Sequence, residues 1–232
     1  MSNDLLCVDN MSFSYGNESL LEKLSFSIEA GENVVLYGLN GSGKTTLLSI
    51  LLGMIQPSEG SVTYNEKSVA DLSSVERARI VTLVPQRMQD VFPFTVKEYI
   101  LSGRYIYMKA SHSFDRDEHQ VTDIIKRLGL EALMYRSILA LSGGERRKVE
   151  IARALCQDSK IVLFDEPFVF LDIREKDHMK KLLHQLQQEH GFASIVVTHE
   201  ESVSANRFFV LNKSVVSLSN REDALCLLKN KE

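Results

Sequence analysis

Hydrophobic and polar residues alternate over the first 30 positions of the chain in the manner of β-strands. Apolar side chains recur at every second position within residues 6–8, 11–15 and 24–28, the spacing that places them on one face of a strand. Residues 33–37 are instead almost continuously apolar, which is typical of a strand buried on both faces. The pattern therefore predicts an N-terminal antiparallel β subdomain that leads into a central buried strand.

Later apolar runs predict further strands of the same sheet, at residues 80–84, 161–164 and 194–197. Helical spacing of apolar side chains predicts helices at residues 45–52, 95–102, 118–128 and 172–191, the last with Asp172 and Glu175 as a capping box and Gly191 as its end. Because only helical patterns lie between residues 84 and 161, we expect a helical subdomain, about residues 87–157, inserted in the core. The fold class is α/β with a mostly parallel central sheet, in one domain spanning residues 1–232.

The amino-acid composition indicates a globular protein and little more. The 232 residues are 44% hydrophobic and 25% charged, and the net charge of −4 provides no broad basic face for nucleic acid. Cys7, Cys156 and Cys226 form no CxxC pair and predict reduced thiols in a cytosolic protein. The longest apolar stretch, residues 47–55, is about half of a membrane span, and the N-terminus has no signal-peptide pattern. We therefore expect a protein that works at a membrane only through a partner.

Residues 38–45 read Gly-Leu-Asn-Gly-Ser-Gly-Lys-Thr, which fits the phosphate-loop pattern G-x-x-x-x-G-K-[ST] between a strand and a helix. Glycines let successive backbone N–H groups point at phosphate oxygens, and the following helix adds its positive end. We expect Lys44 to reach the β and γ phosphates and Thr45 to bind Mg²⁺. The predicted ATP-binding residues of this loop are Gly38, Leu39, Asn40, Gly41, Ser42, Gly43, Lys44, Thr45 and Thr46.

Two adjacent acids, Asp165 and Glu166, follow the apolar strand at residues 161–164. Ligands of open α/β sheets bind outside the carboxyl ends of the strands. We therefore expect Asp165 to hold Mg²⁺, partly through water, and Glu166 to orient or deprotonate the attacking water. Taken alone, such acids are also common as solvated turn residues.

The sequence Leu141-Ser142-Gly143-Gly144-Glu145 precedes a basic amphipathic helix at residues 146–155. By itself it could be a helix start with Ser142 at the cap. Together with the phosphate loop and the two acids, however, it makes the chain resemble the ATP-binding-cassette (ABC) ATPases from about residue 5 to about residue 212. The resemblance implies a P-loop NTPase core and a dimer, homomeric or heteromeric, in which these five residues face the ATP of the partner subunit.

The resemblance also assigns roles to single residues. Gln86 matches the glutamine that contacts Mg²⁺ or water, and His199 matches the switch histidine at the γ-phosphate, so both join Lys44 and Glu166 as catalytic candidates. Tyr15 matches the aromatic residue that stacks on adenine, although Phe13 or Tyr15 could also be a core or hairpin residue. Gln86 could be a solvated loop residue, and His199 could cap a helix beginning at residue 200.

One segment departs from the family pattern. Asp172, expected in the loop between the two subunits, is kept, but Val169 and Phe170 stand where the family has serine and alanine. This puts communication between subunits through the loop in doubt. Asp172 could also be only the cap of the helix that follows.

The resemblance implies an ATP- and Mg²⁺-dependent ATPase subunit that energises transport through a separate permease, at the cytoplasmic face of the membrane. Residues 93–105 resemble the corresponding segment of importers of metal ions, iron chelates, haem and cobalamin, which favours metal or metal-chelate import with an extracytoplasmic substrate-binding protein. An exporter subunit and a soluble ATPase of cluster assembly are the alternatives. The predicted groove for a permease helix is formed by Val91, Phe92, Phe94 and Tyr105.

Overall fold

The computed structural model describes residues 4–86, 92–107, 114–169, 171–218 and 220–229. Its strands are β1 Asp4–Tyr15, β2 Glu18–Glu29, β3 Asn33–Gly38, β4 Glu59–Tyr64, β5 Lys67–Ser68, β6 Val81–Val84, β7 Ile161–Asp165, β8 Ala193–Val197, β9 Arg207–Asn212 and β10 Ser214–Leu218. Its α-helices are α1 Lys44–Leu51, α2 Ser74–Ile80, α3 Val96–Leu101, α4 Phe114–Arg127, α5 Gly143–Cys156, α6 Ile173–His190 and α7 Arg221–Lys229.

The central sheet has the strand order β10-β9-β3-β8-β7-β6 among the described residues. All neighbouring pairs from β9 to β6 are parallel, and only β10 runs antiparallel to its neighbour. Every residue of β7 and β8 is buried, as expected for strands covered on both faces. The carboxyl ends of β3, β6, β7 and β8 therefore lie along one edge, where ligands of such sheets bind.

The second sheet is antiparallel, with the order β2-β1-β4-β5. Its inner face packs with α1 and one face of the central sheet in a hydrophobic core that includes Leu6, Leu24, Leu36 and Leu48. Gly60 in β4 has a φ of 76°, and a Cβ there would overlap the backbone carbonyl oxygens of β1. This close approach of two strands is possible only for glycine.

The segment between β6 and β7 is helical in its described part and contains α3, α4 and α5. These helices form a second core with the other face of the central sheet, through side chains such as Val96, Ile124 and Val149. A buried ion pair, Arg104 Nε to Asp117 Oδ1 at 2.8 Å, joins the turn after α3 to α4. The insertion is thus a packed unit attached to the edge strand of the sheet.

The predicted fold class agrees with this architecture, and the differences concern boundaries and omissions. Ile80 ends α2 instead of starting a strand, and the helix predicted at residues 146–155 begins at Gly143. Asp172 accepts a hydrogen bond from the Glu175 amide at 2.8 Å and caps α6. The alternative that His199 caps a helix beginning at residue 200 is wrong, because residue 199 is a bend and residues 201–202 form a turn.

None of the helices within the described parts of the chain combines the length and the apolar character that crossing a membrane requires.

Candidate functional site

A cavity of about 660 Å³ opens at the carboxyl edge of the central sheet. It is lined by most of the residues predicted to bind nucleotide, which come from five segments of the chain. These are Tyr15, Asn40, Gly41, Gly43, Lys44, Thr45, Thr46, Gln86, Asp165, Glu166 and His199, together with Glu18, Leu20, Val169 and Glu200. A volume of this order is typical of small-ligand sites.

The phosphate loop connects β3 to α1 and curls back on itself. Gly41 and Gly43 have φ values of 79° and 94°, in the left-handed region that favours glycine. Gly38 is equally constrained, because a Cβ there would lie 2.6 Å from Ser42 Oγ and 2.9 Å from the Leu211 carbonyl oxygen. The amino end of α1, whose first N–H groups have no partners within the helix, thereby faces the cavity.

The Lys44 side chain lies across the loop that precedes it. Its Nζ donates to the carbonyl oxygens of Gly38 at 2.7 Å and Leu39 at 2.8 Å. Burial lowers the pKa of Lys44, whereas the nearby carboxylates of Glu166 and Asp165 act in the opposite direction. The ammonium therefore lies near the acids at the end of β7.

The two acids are both buried. Asp165 ends β7, and Glu166 follows with a φ of 49°, a conformation that is rare for residues with a Cβ. Its amide donates to the Val197 carbonyl at 2.9 Å, which ties the turn to β8. Burial raises the pKa of both carboxyl groups, because a low-dielectric environment disfavours the charged form. They are not solvated turn residues.

His199 follows β8 and approaches Glu166. Its Nε2 lies 3.4 Å from Glu166 Oε1. That oxygen is buried and has no hydrogen-bond partner among the described residues. This distance is longer than the usual range of a formed hydrogen bond. The pair stands at the mouth of the cavity, with the histidine side chain about half exposed.

Gln86 and Tyr15 also line the cavity. Gln86 is an exposed residue after β6, and Tyr15 at the end of β1 is 57% exposed. Phe13 is buried in the core, and its ring lies 4.8 Å from that of Tyr15 in an edge-to-face arrangement. Of the two aromatic candidates, Tyr15 is therefore the one that lines the cavity.

The sequence Leu141–Glu145, named here the signature segment, lies apart from this cavity. Ser142 caps α5 through a reciprocal capping box: Ser142 Oγ accepts from the Glu145 amide, and Glu145 Oε2 accepts from the Ser142 amide at 2.8 Å. The signature segment can be a capped helix start and also face a nucleotide, because the start of a helix presents backbone N–H groups to an anion.

The loop after Glu166 is partly apolar. Val169 lines the cavity, and Phe168 is buried with the Lys180 ammonium 5.4 Å from its ring centre. Phe170 lies outside the described residues. At Val169, the departure from the family pattern therefore places a hydrophobic side chain on the cavity wall where the family has serine.

Arg147 is a residue of this region that the sequence predictions missed. It is 2% exposed and donates hydrogen bonds to backbone carbonyls at the ends of β6 and β7. A signal was available, because Arg147 lies three to seven residues before Glu150, Ile151 and Ala154 and so shares the buried face of α5. Arginine at a core-facing position needs partners.

The oxygen donors at the cavity fit a magnesium ion. Thr45, Gln86 and Asp165 supply a hydroxyl, an amide carbonyl and a carboxylate, which is the hard-oxygen chemistry that Mg²⁺ prefers alongside water. A bound cation would also offset the burial of the Asp165 carboxylate. Within the described parts of the chain there is no cluster of three or more His, Cys, Asp or Glu side chains that could hold a metal.

Comparison with known proteins agrees with the fold. A family model described as ABC transporter matches residues 21–169. This match covers more than half of the chain, and the protein therefore belongs to the ABC transporter family. It is an ATP-binding protein and an ATPase of that family.

Individual relatives match over most of the chain. It is 34% identical over 219 residues to the ABC transporter ATP-binding protein MJ0089 of Methanocaldococcus jannaschii, covering 93% of this chain and 85% of the relative. It is 30% identical over 227 residues to the petrobactin import ATP-binding protein FpuC of Bacillus anthracis, covering 96% and 84%. The high-affinity zinc uptake ATP-binding protein ZnuC of Bacillus subtilis is 32% identical over 204 residues, covering 86% of each.

Solved structures show the same fold. The dimeric ATP-binding cassette MJ0796, in a post-hydrolysis state with ADP and Pi, superimposes with a TM-score of 0.83 at 28% identity, covering 92% of this chain and 98% of that one. The cbiO1 protein of Clostridium perfringens, part of the ABC transporter complex cbiONQ, gives a TM-score of 0.84 at 25% identity, covering 97% and 92%.

Proposed function

We propose that the chain hydrolyses MgATP at the cavity above the central sheet. The observation that carries the proposal is the convergence of Lys44, Gln86, Asp165, Glu166 and His199 on that one cavity. Lys44 and the N–H groups of the phosphate loop hold the β and γ phosphates. Tyr15 supports the adenine at the open end.

The hydrolytic step is assigned to Glu166. Its carboxylate accepts a proton from the attacking water as the water forms a bond to the γ-phosphorus and the bond to the β-phosphate oxygen breaks. His199, 3.4 Å away, keeps that carboxylate at the mouth of the cavity. Thr45, Gln86 and Asp165 would hold Mg²⁺, whose chemistry is to neutralise phosphate charge.

The proposed active form is a dimer. The signature segment lines no part of the cavity of its own chain, so it can serve ATP only in a second subunit. Its capped helix start would meet the γ-phosphate of the partner's ATP, and Asp172 would lie in the loop between the subunits. Because ADP lacks that phosphate, hydrolysis would release the two subunits.

The test is the variant Glu166→Gln. It removes the base but keeps the shape and the phosphate contacts. We expect normal ATP binding, turnover reduced by about 100-fold or more, and a shift to dimer mass in gel filtration with MgATP.

Glu131→Gln, at an exposed position shortly after α4 and away from the cavity, is the matched control and should behave as wild type. A Glu166→Gln protein that stays monomeric with wild-type turnover would contradict the assignment.

We further propose that the ATPase energises import of a metal ion or metal chelate through a separate permease, with an extracytoplasmic substrate-binding protein. Relatives named for petrobactin import and zinc uptake support this cargo class. In cells whose only copy carries Lys44→Ala, uptake of radioactive iron complexes or zinc should fall. Unchanged uptake of every metal form tested would favour export or a soluble role.

The proposed permease contact lies on the insertion. Phe92, Phe94 and Tyr105 are 78%, 42% and 71% exposed, respectively, and large exposed apolar side chains in one region are typical of binding surfaces. Val91, predicted as part of the same groove, lies outside the described residues. Binding there would place the chain peripherally at the cytoplasmic face of the membrane.

A further inference from the structure

The guanidinium of Arg147 contacts three backbone carbonyls from two segments beside the nucleotide cavity. Its Nη2 donates to the Asp165 carbonyl at 2.8 Å, and its Nε donates to the Pro167 carbonyl at 3.0 Å. Its Nη1 donates to the Pro85 carbonyl and to Glu150 Oε2, the latter at 2.8 Å. A planar, always-charged fork is suited to hold several acceptors at fixed angles.

Two of these carbonyls flank Glu166. The residue has a φ of 49°, a conformation that persists only where the surroundings hold it. On one side its amide is bound by Val197, and on both sides the neighbouring carbonyls are bound by Arg147. One guanidinium, together with the Val197 carbonyl, therefore holds the backbone from which the Glu166 side chain leaves.

The third carbonyl links this unit to another loop. Pro85 immediately precedes Gln86, so Arg147 also anchors the start of the segment that carries this residue. Arg147 itself lies about one and a half turns after Ser142 on α5. A displacement of the start of α5 would therefore be transmitted to both loops.

We propose that Arg147 is a positioning residue for ATP hydrolysis, which sets the orientation of Glu166 by holding the carbonyls of Asp165 and Pro167. The proposal rests on the role proposed above for Glu166. Arg147 does not line the cavity, and its effect on the reaction is indirect.

A second buried arginine provides a matched control. Arg104 is 3% exposed, pairs with Asp117 and donates to the Cys156 carbonyl at 2.9 Å. Like Arg147 it leaves a buried carboxylate behind when replaced, but it lies away from the nucleotide cavity. Arg104→Met therefore reports the cost of losing a buried arginine alone.

The experiment compares steady-state kinetics of Arg147→Met, Arg147→Lys and Arg104→Met. Arg147→Met should lower kcat about 10- to 100-fold and leave KM for ATP within about twofold, because it disturbs the orientation of Glu166 and leaves the phosphate loop in place. Arg147→Lys should recover part of kcat, since its ammonium can still donate to these carbonyls. Arg104→Met should keep kcat while losing a similar amount of stability.

A double-variant cycle distinguishes positioning from general damage. If Arg147 acts through Glu166, adding Arg147→Met to Glu166→Gln should lower the residual single-turnover rate no further. An additional loss as large as in the wild-type background, or an unchanged kcat for Arg147→Met, would overturn the role of Arg147 alone. A wild-type rate for Glu166→Gln would overturn the proposed function of Glu166 instead. Should the Met variants fail to fold, Arg147→Lys against Arg104→Lys provides the same comparison.

Discussion

Lys44 ends the phosphate loop with its ammonium held against the carbonyls of Gly38 and Leu39. In the proposed complex the N–H groups of the Lys44 ammonium donate to phosphate oxygens. Lys44→Ala therefore removes a charge and its hydrogen bonds together. We expect ATP affinity to fall about 10- to 100-fold, measured by titration calorimetry with MgATP.

The matched control for this change is Lys181→Ala, an exposed lysine on α6, which should leave the dissociation constant unchanged. Equal affinity in Lys44→Ala and wild type would mean that the phosphates bind elsewhere.

Single residues could be predicted where a local pattern defines the chemistry. Lys44 and Thr45 follow from the phosphate-loop spacing, and Asp165 and Glu166 from their place after an apolar run. The role of Arg147 could not be predicted in the same way, because its carbonyl partners lie 18 to 62 residues away along the chain. Only the fold brings those carbonyls together.

At the scale of elements, the turn after α3 depends on one small residue. Gly103 packs so closely against α5 that a Cβ would overlap the Arg153 carbonyl oxygen. Backbone cannot move aside as a side-chain tip can, so Gly103→Ala should lower the free energy of unfolding by roughly 1–3 kcal/mol. Urea denaturation followed by circular dichroism measures the change.

Lys126→Ala, at an exposed position on α4, serves as the reference and should stay within about 0.5 kcal/mol of wild type. If Gly103→Ala had the same free energy of unfolding as wild type, α3 and α5 could move apart without loss of stability.

Element boundaries were predictable where caps are local. Asp172 and Gly191 bracket α6 because a side-chain cap and a left-handed glycine act within a few residues. The helix α2 was not predicted, although Ser73 and Glu76 form a capping box there. None of its residues is buried, so it lacks the apolar periodicity on which the prediction depended.

At the scale of the whole molecule, the exposed aromatic residues of the insertion provide the test of transport. Phe92→Asp and Phe94→Asp place charges on the proposed permease contact, where desolvation is unfavourable. We expect co-purification with detergent-solubilised permease to fall about tenfold or more, while basal ATP hydrolysis stays unchanged.

Met54→Asp is the control, because Met54 is 77% exposed on the loop after α1, outside the insertion. Full co-purification of both phenylalanine variants would place the docking surface elsewhere.

A mostly parallel central sheet was predictable from the alternation of strands and helices along the chain. Because the carboxyl ends of its strands share one edge, motifs that are distant in the sequence meet there. The edge strand β10 and the final helix α7 were not predicted. The strand β10 runs antiparallel to β9 at the edge of the sheet. Its short sequence pattern indicates neither this position nor this direction.

In the proposed dimer, the reciprocal cap on α5 would affect how fast two copies associate. Ser142 and Glu145 satisfy one another within a single chain, so the start of the helix is ordered before a partner arrives. Association then requires little loss of backbone freedom at this contact, and encounter is limited mainly by orientation. In the proposed dimer, the two subunits could therefore associate and separate rapidly, and the rate would be set by the nucleotide and not by folding of the interface.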